Sequence, residues 1–321
     1  MTSLAKHRAP PRRRLRIVAA SSAAPEVAGT PPESWLHPER RSRKVGPLPV
    51  RARLALAAME RLRAALGAAD REFDAPRAGV SLGTLFGSIE VAEQCLGAVH
   101  EHGFERVTPS WYATGLPNAT AAILASLAGL QGPNLSFLGY QAGLDAIAAA
   151  GRQILAGHAD AMCAGGFDLP SERYVERARA AAPFERARGI HAGVGLVWLA
   201  AGEPRAGDAG ELLGWSQCLL DEAAFEAARA AGFRSLIAAA RAMAGANANA
   251  NADARVAELH LVRPGAPDAI DRLAAGAPVA LAEGLADGWC PGLHALVVRG
   301  LGAVTSCVLV DNETMRNAAD E

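Results

Sequence analysis

Between Asn134 and Gly166 the sequence NLSFLGYQAGLDAIAAAGRQILAGHADAMCAGG forces a strand to turn into a helix within a few residues. Leu135 to Leu138 is an apolar run of strand length, and Gly139-Tyr140-Gln141-Ala142-Gly143 permits a sharp turn. An Ala-rich helix then runs from Leu144 to about Leu155, and a second apolar run closes on Gly165-Gly166. A strand that breaks directly into a helix presents a side chain at the helix N-terminus, where free N–H groups and the helix dipole favour negative charge. A nucleophile belongs there. The turn instead carries Tyr140 and Gln141, with neither Cys nor Ser.

The flanking sequence repeats the same alternation. RLRIVAA near the N-terminus reads as a first strand, and Arg51 to Leu66 places apolar residues at helical spacing. AGVSLGTLFGSIE gives strand, Gly-rich turn and helix start, with Ser88 as cap. NATAAILASLAGLQGPN is a small-residue helix stopped at Gly132-Pro133, and IHAGVGLVWLAAG (Ile190–Gly202) is a central apolar strand. Beyond it the pattern predicts helices over 221–244, a strand at RVAELHLV, a helix at PDAIDRLAAG, and two strands in HALVVRGLGAVTSCVLVD. Strands alternating with helices specify an α/β fold with a covered sheet. Residues 1–13 read as a disordered basic tail and GANANANADA (245–254) as a flexible solvated loop.

A formal net charge of −1 over 321 residues argues against nucleic acid as the main partner, since phosphate binding needs a concentrated basic surface. No window approaches a membrane span, and LRIVAA is too short for a secretory core; the expected location is cytoplasmic. The cysteines Cys95, Cys163, Cys218, Cys290 and Cys307 form no CxxC pair, so neither a zinc site nor a cofactor is expected, and Cys95, Cys163 and Cys307 read as small buried hydrophobes. Arg177, Arg179, Arg186 and Arg188 read as a solvated face able to steer an acidic partner. Lysine occurs only at Lys6 and Lys44, which leaves none for chemistry in the rest of the chain.

These pieces, in this order, resemble the β-ketoacyl-ACP synthases of the thiolase fold. GVSLGTLFGS is similar to the family's Gly-Thr-Gly-Gly turn, and VTPSWYATGLPNATAAILASLAGLQGPN to its segment around Pro109, Pro117, Asn118 and Gly132-Pro133-Asn134. The family's nucleophile-helix motif is matched at Gly143, Ala146, Ile147, Ile154, Gly157, Asp160, Gly165 and Gly166, and APFERARGIHAGVGLVWLAAG resembles the segment that follows. The resemblance covers about residues 15–202. It implies a layered α-β-α-β-α fold, with a ketosynthase-like half over 14–202 and a reduced half over 203–321.

Aligned on that motif, the catalytic Cys position holds Tyr140, whose hydroxyl ionises only near pH 10 and cannot stand in for a thiolate. The family's first histidine maps to His260 if Asp268 is the anchor, but His260 also fits an alternating strand pattern. The family lysine is absent, His294 reads more simply as a strand-start residue, the acidic position of Gly-Glu-Gly is Val194, and the last turn is reduced to Gly300-Leu301-Gly302-Ala303. The resemblance therefore implies a catalytically silent subunit of the chain-length-factor type, from a type II polyketide, aryl-polyene or fatty-acid-type system. Such a subunit pairs with an active ketosynthase, meets the acyl carrier protein indirectly, and shapes the acyl tunnel. Tyr140 and Gln141 would fill the nucleophile pocket; Trp111, Tyr112, Thr114, Asn118 and Phe137 would line the tunnel and dimer face. The alternatives are a stand-alone malonyl-ACP decarboxylase using Gln141 and a homodimeric acyl-binding scaffold.

Overall fold

The computed structural model describes residues 14–24, 48–66, 76–180, 183–187, 189–244, 256–264, 266 and 270–312. The expected basic tail (1–13) and the 245–254 loop lie outside the described residues, as do Arg188 and Asp268.

Alternation of apolar and small residues builds eleven strands among the described residues: β1 (Leu15–Ala23), β2 (Ala78–Thr84), β3 (Asn134–Leu138), β4 (Ala161–Asp168), β5 (Gly189–Ile190), β6 (Gly193–Ala201), β7 (Gly210–Leu219), β8 (Glu258–Val262), β9 (Ile270–Asp271), β10 (Leu293–Arg299) and β11 (Val304–Asp311). The helices are α1 (Val50–Leu66), α2 (Ile89–His102), α3 (Pro109–Thr114), α4 (Ala119–Ala128), α5 (Ala142–Leu155), α6 (Glu172–Arg179), α7 (Glu222–Ala230), α8 (Arg234–Ala244) and α9 (Gly276–Glu283).

Nine strands follow one another in the order β3-β2-β4-β6-β1-β7-β11-β10-β8. The seam is β1 with β7, where only Arg16↔Glu211 and Ile17↔Gly210 are paired, so the sheet divides into an N-terminal and a C-terminal part. The two parts share a plan. In the first, β1 and β6 are antiparallel, β6 and β4 antiparallel, and β4 and β2 parallel. In the second, β7 and β11 are antiparallel, β11 and β10 antiparallel, and β10 and β8 parallel. What lacks a full counterpart is β3. At its place in chain order stands the two-residue β9, which pairs with β5 outside the large sheet.

Helices cover both parts. α1 and α4 pack on the outer face of the N-terminal part around Leu54, Met59, Leu62 and Trp198. α8 packs on the outer face of the C-terminal part, in a core with Phe225, Phe233 and Leu236. Between them, α5 and α9 share a central core of Ile147, Ile154, Val197, Leu281 and Val308. The order of layers is thus α-β-α-β-α, as the resemblance implies.

Three local expectations are corrected. The described part of PDAIDRLAAG, from Ile270, is not the expected helix: Asp271 ends a short strand, Leu273–Ala275 is a 3-10 turn, and the helix begins only at Gly276. Its apolar spacing serves instead to bury Leu273, Ala274 and Ala275. Ser88 stands at the N-cap of α2, but its hydroxyl donates to Leu116 O (2.9 Å) and does not cap the helix. Cys95 is only half-buried, on an amphipathic helix, whereas Cys163 and Cys307 are buried as expected.

The seam between the two parts is held by charge. Arg16 on β1 pairs with Asp208 at 2.8 Å, both side chains almost fully buried, and Arg14 donates to Glu211 (2.7 Å from Nε). Breaking one member of a buried pair leaves the other charge without compensation, at a cost of about 3–5 kcal/mol. Asp208→Ala is therefore expected to lower the denaturation midpoint by an amount corresponding to that loss, measured by urea unfolding, while Glu203→Ala on the exposed rim changes it by under about 1 kcal/mol.

Candidate functional site

The turn after β3 is built as the sequence requires. Gly139 adopts φ +137°, and Gln141 stands at the N-cap of α5, so the chain passes from strand to helix at Tyr140. The Tyr140 ring lies buried in the central core with Phe184, ring centroids 6.5 Å apart. Its hydroxyl is 3.1 Å from both carboxylate oxygens of Asp271 and donates to that carboxylate.

Asp271 comes from the loop before α9 and also accepts from Leu273 N (2.8 Å). Leu273 itself holds φ +55°, a left-handed conformation that costs a non-glycine residue on the order of 1–3 kcal/mol. A second buried carboxylate, Asp168 at the end of β4, stabilises the same loop. It accepts from Ala274 N (2.9 Å), Leu85 N (3.0 Å) and Thr84 Oγ1 (2.7 Å). Asp168 thereby joins the turn after β2, the end of β4 and the start of α9.

These charges set the chemistry of Tyr140. Burial first, then the Asp271 carboxylate and more distantly Asp168, hold its pKa well above the ordinary tyrosine value. The helix N-terminus would favour an anion, but burial and two neighbouring carboxylates oppose it. Asp168 is itself pushed up to about 7 by burial, against the hydrogen bonds from Thr84, Leu85, Ala274 and Phe86 that pull it down. Tyr140 is thus held protonated, as a hydrogen-bond donor to Asp271. The cavity beside it measures about 210 Å³ and is lined by Tyr140, Leu261, Val262, Asp271, Arg272 and Val279 among others. That is below the range of about 300–1,000 Å³ usual for sites that engulf a drug-sized molecule.

Gln141 does not share this cavity. Its side chain lies against Gly139 and the Gly300 turn and hydrogen-bonds Asp145, which also accepts from Ser306 Oγ (2.7 Å) and Gln217 Nε2 (3.1 Å). The nucleophile turn therefore sends its two unusual side chains in different directions. Tyr140 alone occupies the buried position.

The histidines are also placed away from Tyr140. His260 sits mid-strand on β8, two residues before the cavity-lining Val262, and stacks on Trp289 with centroids 4.1 Å apart. His294 is fully buried in β10 and contacts His260. Val194 is buried within β6, and Gly300-Leu301-Gly302-Ala303 forms the turn between β10 and β11. Another cavity of about 510 Å³ opens between α2 and α6, but Ser171 on its wall is committed to capping α6 through Tyr174 N (3.2 Å).

Of the residues expected at the tunnel or dimer face, Trp111, Tyr112 and Thr114 lie on α3, Asn118 at the N-cap of α4, and Phe137 on the edge strand β3. The Thr114 hydroxyl bonds back to Ser110 O (3.0 Å), and its carbonyl accepts from the buried Arg51, which also pairs with Glu90. Asp168 and Asp271, which organise the site, carry no local motif; only the close of the apolar run at Gly165-Gly166-Phe167 pointed to the first.

A family model for the beta-ketoacyl synthase N-terminal domain matches residues 9–188. A 3-oxoacyl-acyl-carrier-protein synthase 2 of Vibrio cholerae is 37% identical over 101 residues, covering 31% of this chain and 24% of that protein. The corresponding Vibrio harveyi protein is 35% identical over the same extent. The match thus spans about a quarter of the length of these curated relatives. Among solved structures, the ishigamide ketosynthase/chain length factor aligns with TM-score 0.68 and 19% identity, over 93% of this chain and 99% of that one. A type II PKS acyl-carrier protein in complex with its ketosynthase gives TM-score 0.64 and 19% identity, over 94% of this chain and 99% of that one. A beta-ketoacyl synthase from Burkholderia phymatum STM815 gives 0.64 and 16%, with the same coverage. These likenesses show the ketosynthase, thiolase-like fold.

Two measurements check the site. Tyr140→Phe removes a hydrogen bond to a buried carboxylate and is expected to cost about 1–3 kcal/mol. Because the folded pKa of Tyr140 lies above the unfolded value near 10, its contribution is whole below about pH 10 and lost as pH rises beyond it. A tyrosinate absorbance titration should accordingly show one fewer late-titrating tyrosine in the variant. Asp168→Ala leaves the buried Thr84 hydroxyl and the Leu85 and Ala274 amides without an acceptor, at about 1–3 kcal/mol per group, and thermal denaturation should show the largest loss of the set.

Proposed function

The chain belongs to the β-ketoacyl synthase family through its N-terminal domain, and from that premise we propose that it is a catalytically silent, chain-length-factor-type subunit. It pairs with an active β-ketoacyl-ACP synthase and shapes the acyl tunnel of that partner. The observation that carries this reading is the buried hydrogen bond from Tyr140 to Asp271, which occupies the nucleophile position with a group that stays protonated. Condensation needs a nucleophile and preorganised donors for the charge that develops. Here the nucleophile position holds a phenol, two carboxylates face it, and neither His260 nor His294 lines its cavity.

The surface supports pairing. β3 ends the sheet, and its outer side has no neighbour among the described residues. Of the nine exposed large hydrophobics among the described residues, five (Leu96, Phe104, Tyr112, Leu116 and Leu138) fall in sequence between β2 and the end of β3. An apolar excursion ending in a bare strand is a template for another strand and is hidden in stable assemblies. The likeness to a ketosynthase/chain length factor structure agrees with such a pairing, and one relative's complex with an acyl-carrier protein indicates the class of carrier. The expected setting is polyketide, aryl-polyene or fatty-acid-type chain elongation. Among the described residues no helix is long and apolar enough to cross a membrane, and the proposed location is the cytoplasm.

Co-expression with the ketosynthase encoded nearest to it, with a tag on this chain alone, tests the reading. A stoichiometric complex is expected, with malonyl-dependent elongation that persists in Tyr140→Phe and Gln141→Ala while the product length changes. Leu138→Glu or Phe104→Glu should abolish co-purification. Release of carbon dioxide from malonyl-ACP by this chain alone, with no complex, would establish the decarboxylase reading. A stable homodimer that binds acyl chains and ignores the ketosynthase would establish the scaffold.

A further inference from the structure

The two histidines that miss the nucleophile turn meet each other. His260 Nε2 lies 3.2 Å from His294 Nδ1, and 3.8 Å from Glu258 Oε2. One ligand atom from each of Glu258, His260 and His294 falls within 4.8 Å of the others. We propose that Glu258, His260 and His294 bind a divalent transition-metal ion of the zinc class, clamping the strand β8 to β10.

The tautomers favour it. His294 Nε2 lies 2.8 Å from the Cys290 carbonyl, which can only accept, so this nitrogen carries the proton and Nδ1 presents its lone pair toward His260. A backbone carbonyl holding the far nitrogen of a ligating imidazole is the usual support of a metal histidine. With metal–nitrogen distances of about 2.0–2.1 Å, nitrogens 3.2 Å apart close an angle of about 100–105°, near tetrahedral. Two imidazoles and a carboxylate suit zinc, and not calcium or magnesium, which take oxygen donors.

The rings are also held in place before any ion arrives. Trp289 stacks on His260 (4.1 Å, 14° between planes) and on His294 (4.4 Å, 22°). The indole is seated against Gly284, where a Cβ would overlap it. The burial is graded: His294 is fully buried, the His260 side chain 17% exposed and Glu258 half-exposed, which leaves an entry path from the surface. The position gives the ion a task. β8 is an end strand with β10 as its neighbour, and His294 stands opposite Glu258 in that ladder. An ion bonded to Glu258 and His260 on one strand and His294 on the other ties the sheet edge to its interior.

This inference is independent of the proposed function. The full chain, purified without a histidine tag and stripped with a chelator, is titrated with Co²⁺ and then Zn²⁺. One saturable equivalent with tetrahedral Co²⁺ bands in the visible, displaced by Zn²⁺, and a raised melting temperature are expected. His260→Ala, chosen because His260 is partly exposed, should weaken binding by at least about 100-fold with unchanged far-ultraviolet circular dichroism, and Glu258→Gln by about 10-fold. Cys290→Ser should bind as the parent does. Absence of a saturable equivalent, or equal binding by His260→Ala, would overturn the proposal and leave the pair as a plain His–His hydrogen bond.

Discussion

The two halves approach each other so closely that backbone touches backbone, and the rest of the site depends on that contact. A Cβ at Gly143 or at Gly166 would overlap the Ala274 carbonyl oxygen, and one at Gly195 would overlap the backbone of Pro278 and Val279. Three glycines from α5, β4 and β6 thus form the floor on which the start of α9 rests. No other residue permits this approach without moving a helix. Seated there, the loop from Asp271 to Ala275 is brought over the nucleophile turn, and Leu273 is kept in its left-handed conformation by the amide bonds to Asp271 and Asp168.

The electrostatics then follow from geometry. Buried beside the Asp271 carboxylate, the phenol keeps its proton, because a second negative charge there would be costly to bury. Tyr140 neutralises part of that cost by donating to Asp271. The side chain at this turn is thus committed to a hydrogen bond that ties the turn to the loop before α9.

The N-terminal half was readable because its signals are local. Glycines at fixed spacing from a strand end, a Gly-Pro stop and an apolar run before Tyr140 report on their own neighbourhoods. The site was less readable because its partners come from afar: Asp168 holds the Leu85 and Ala274 amides, and Asp271 the Tyr140 hydroxyl, at sequence separations that no periodicity records. The segment around Leu273 reads as a helix for the same reason, since its apolar spacing is spent on a buried turn against the other half. Cysteine spacing could not disclose the histidine pair either; a parallel strand ladder joins His260 and His294 across 34 positions.

The two ends of the large sheet differ, and the difference bears on how copies could join. A sheet with two adhesive ends adds subunits without limit, as open filaments do. Both end strands are five residues long, but β3 ends in the exposed Leu138, while β8 carries Glu258 at its exposed start. Short, charged edges resist strand addition. On the proposed pairing through β3, the charge at the β8 end would oppose further strand addition, which favours a closed pair over an open filament.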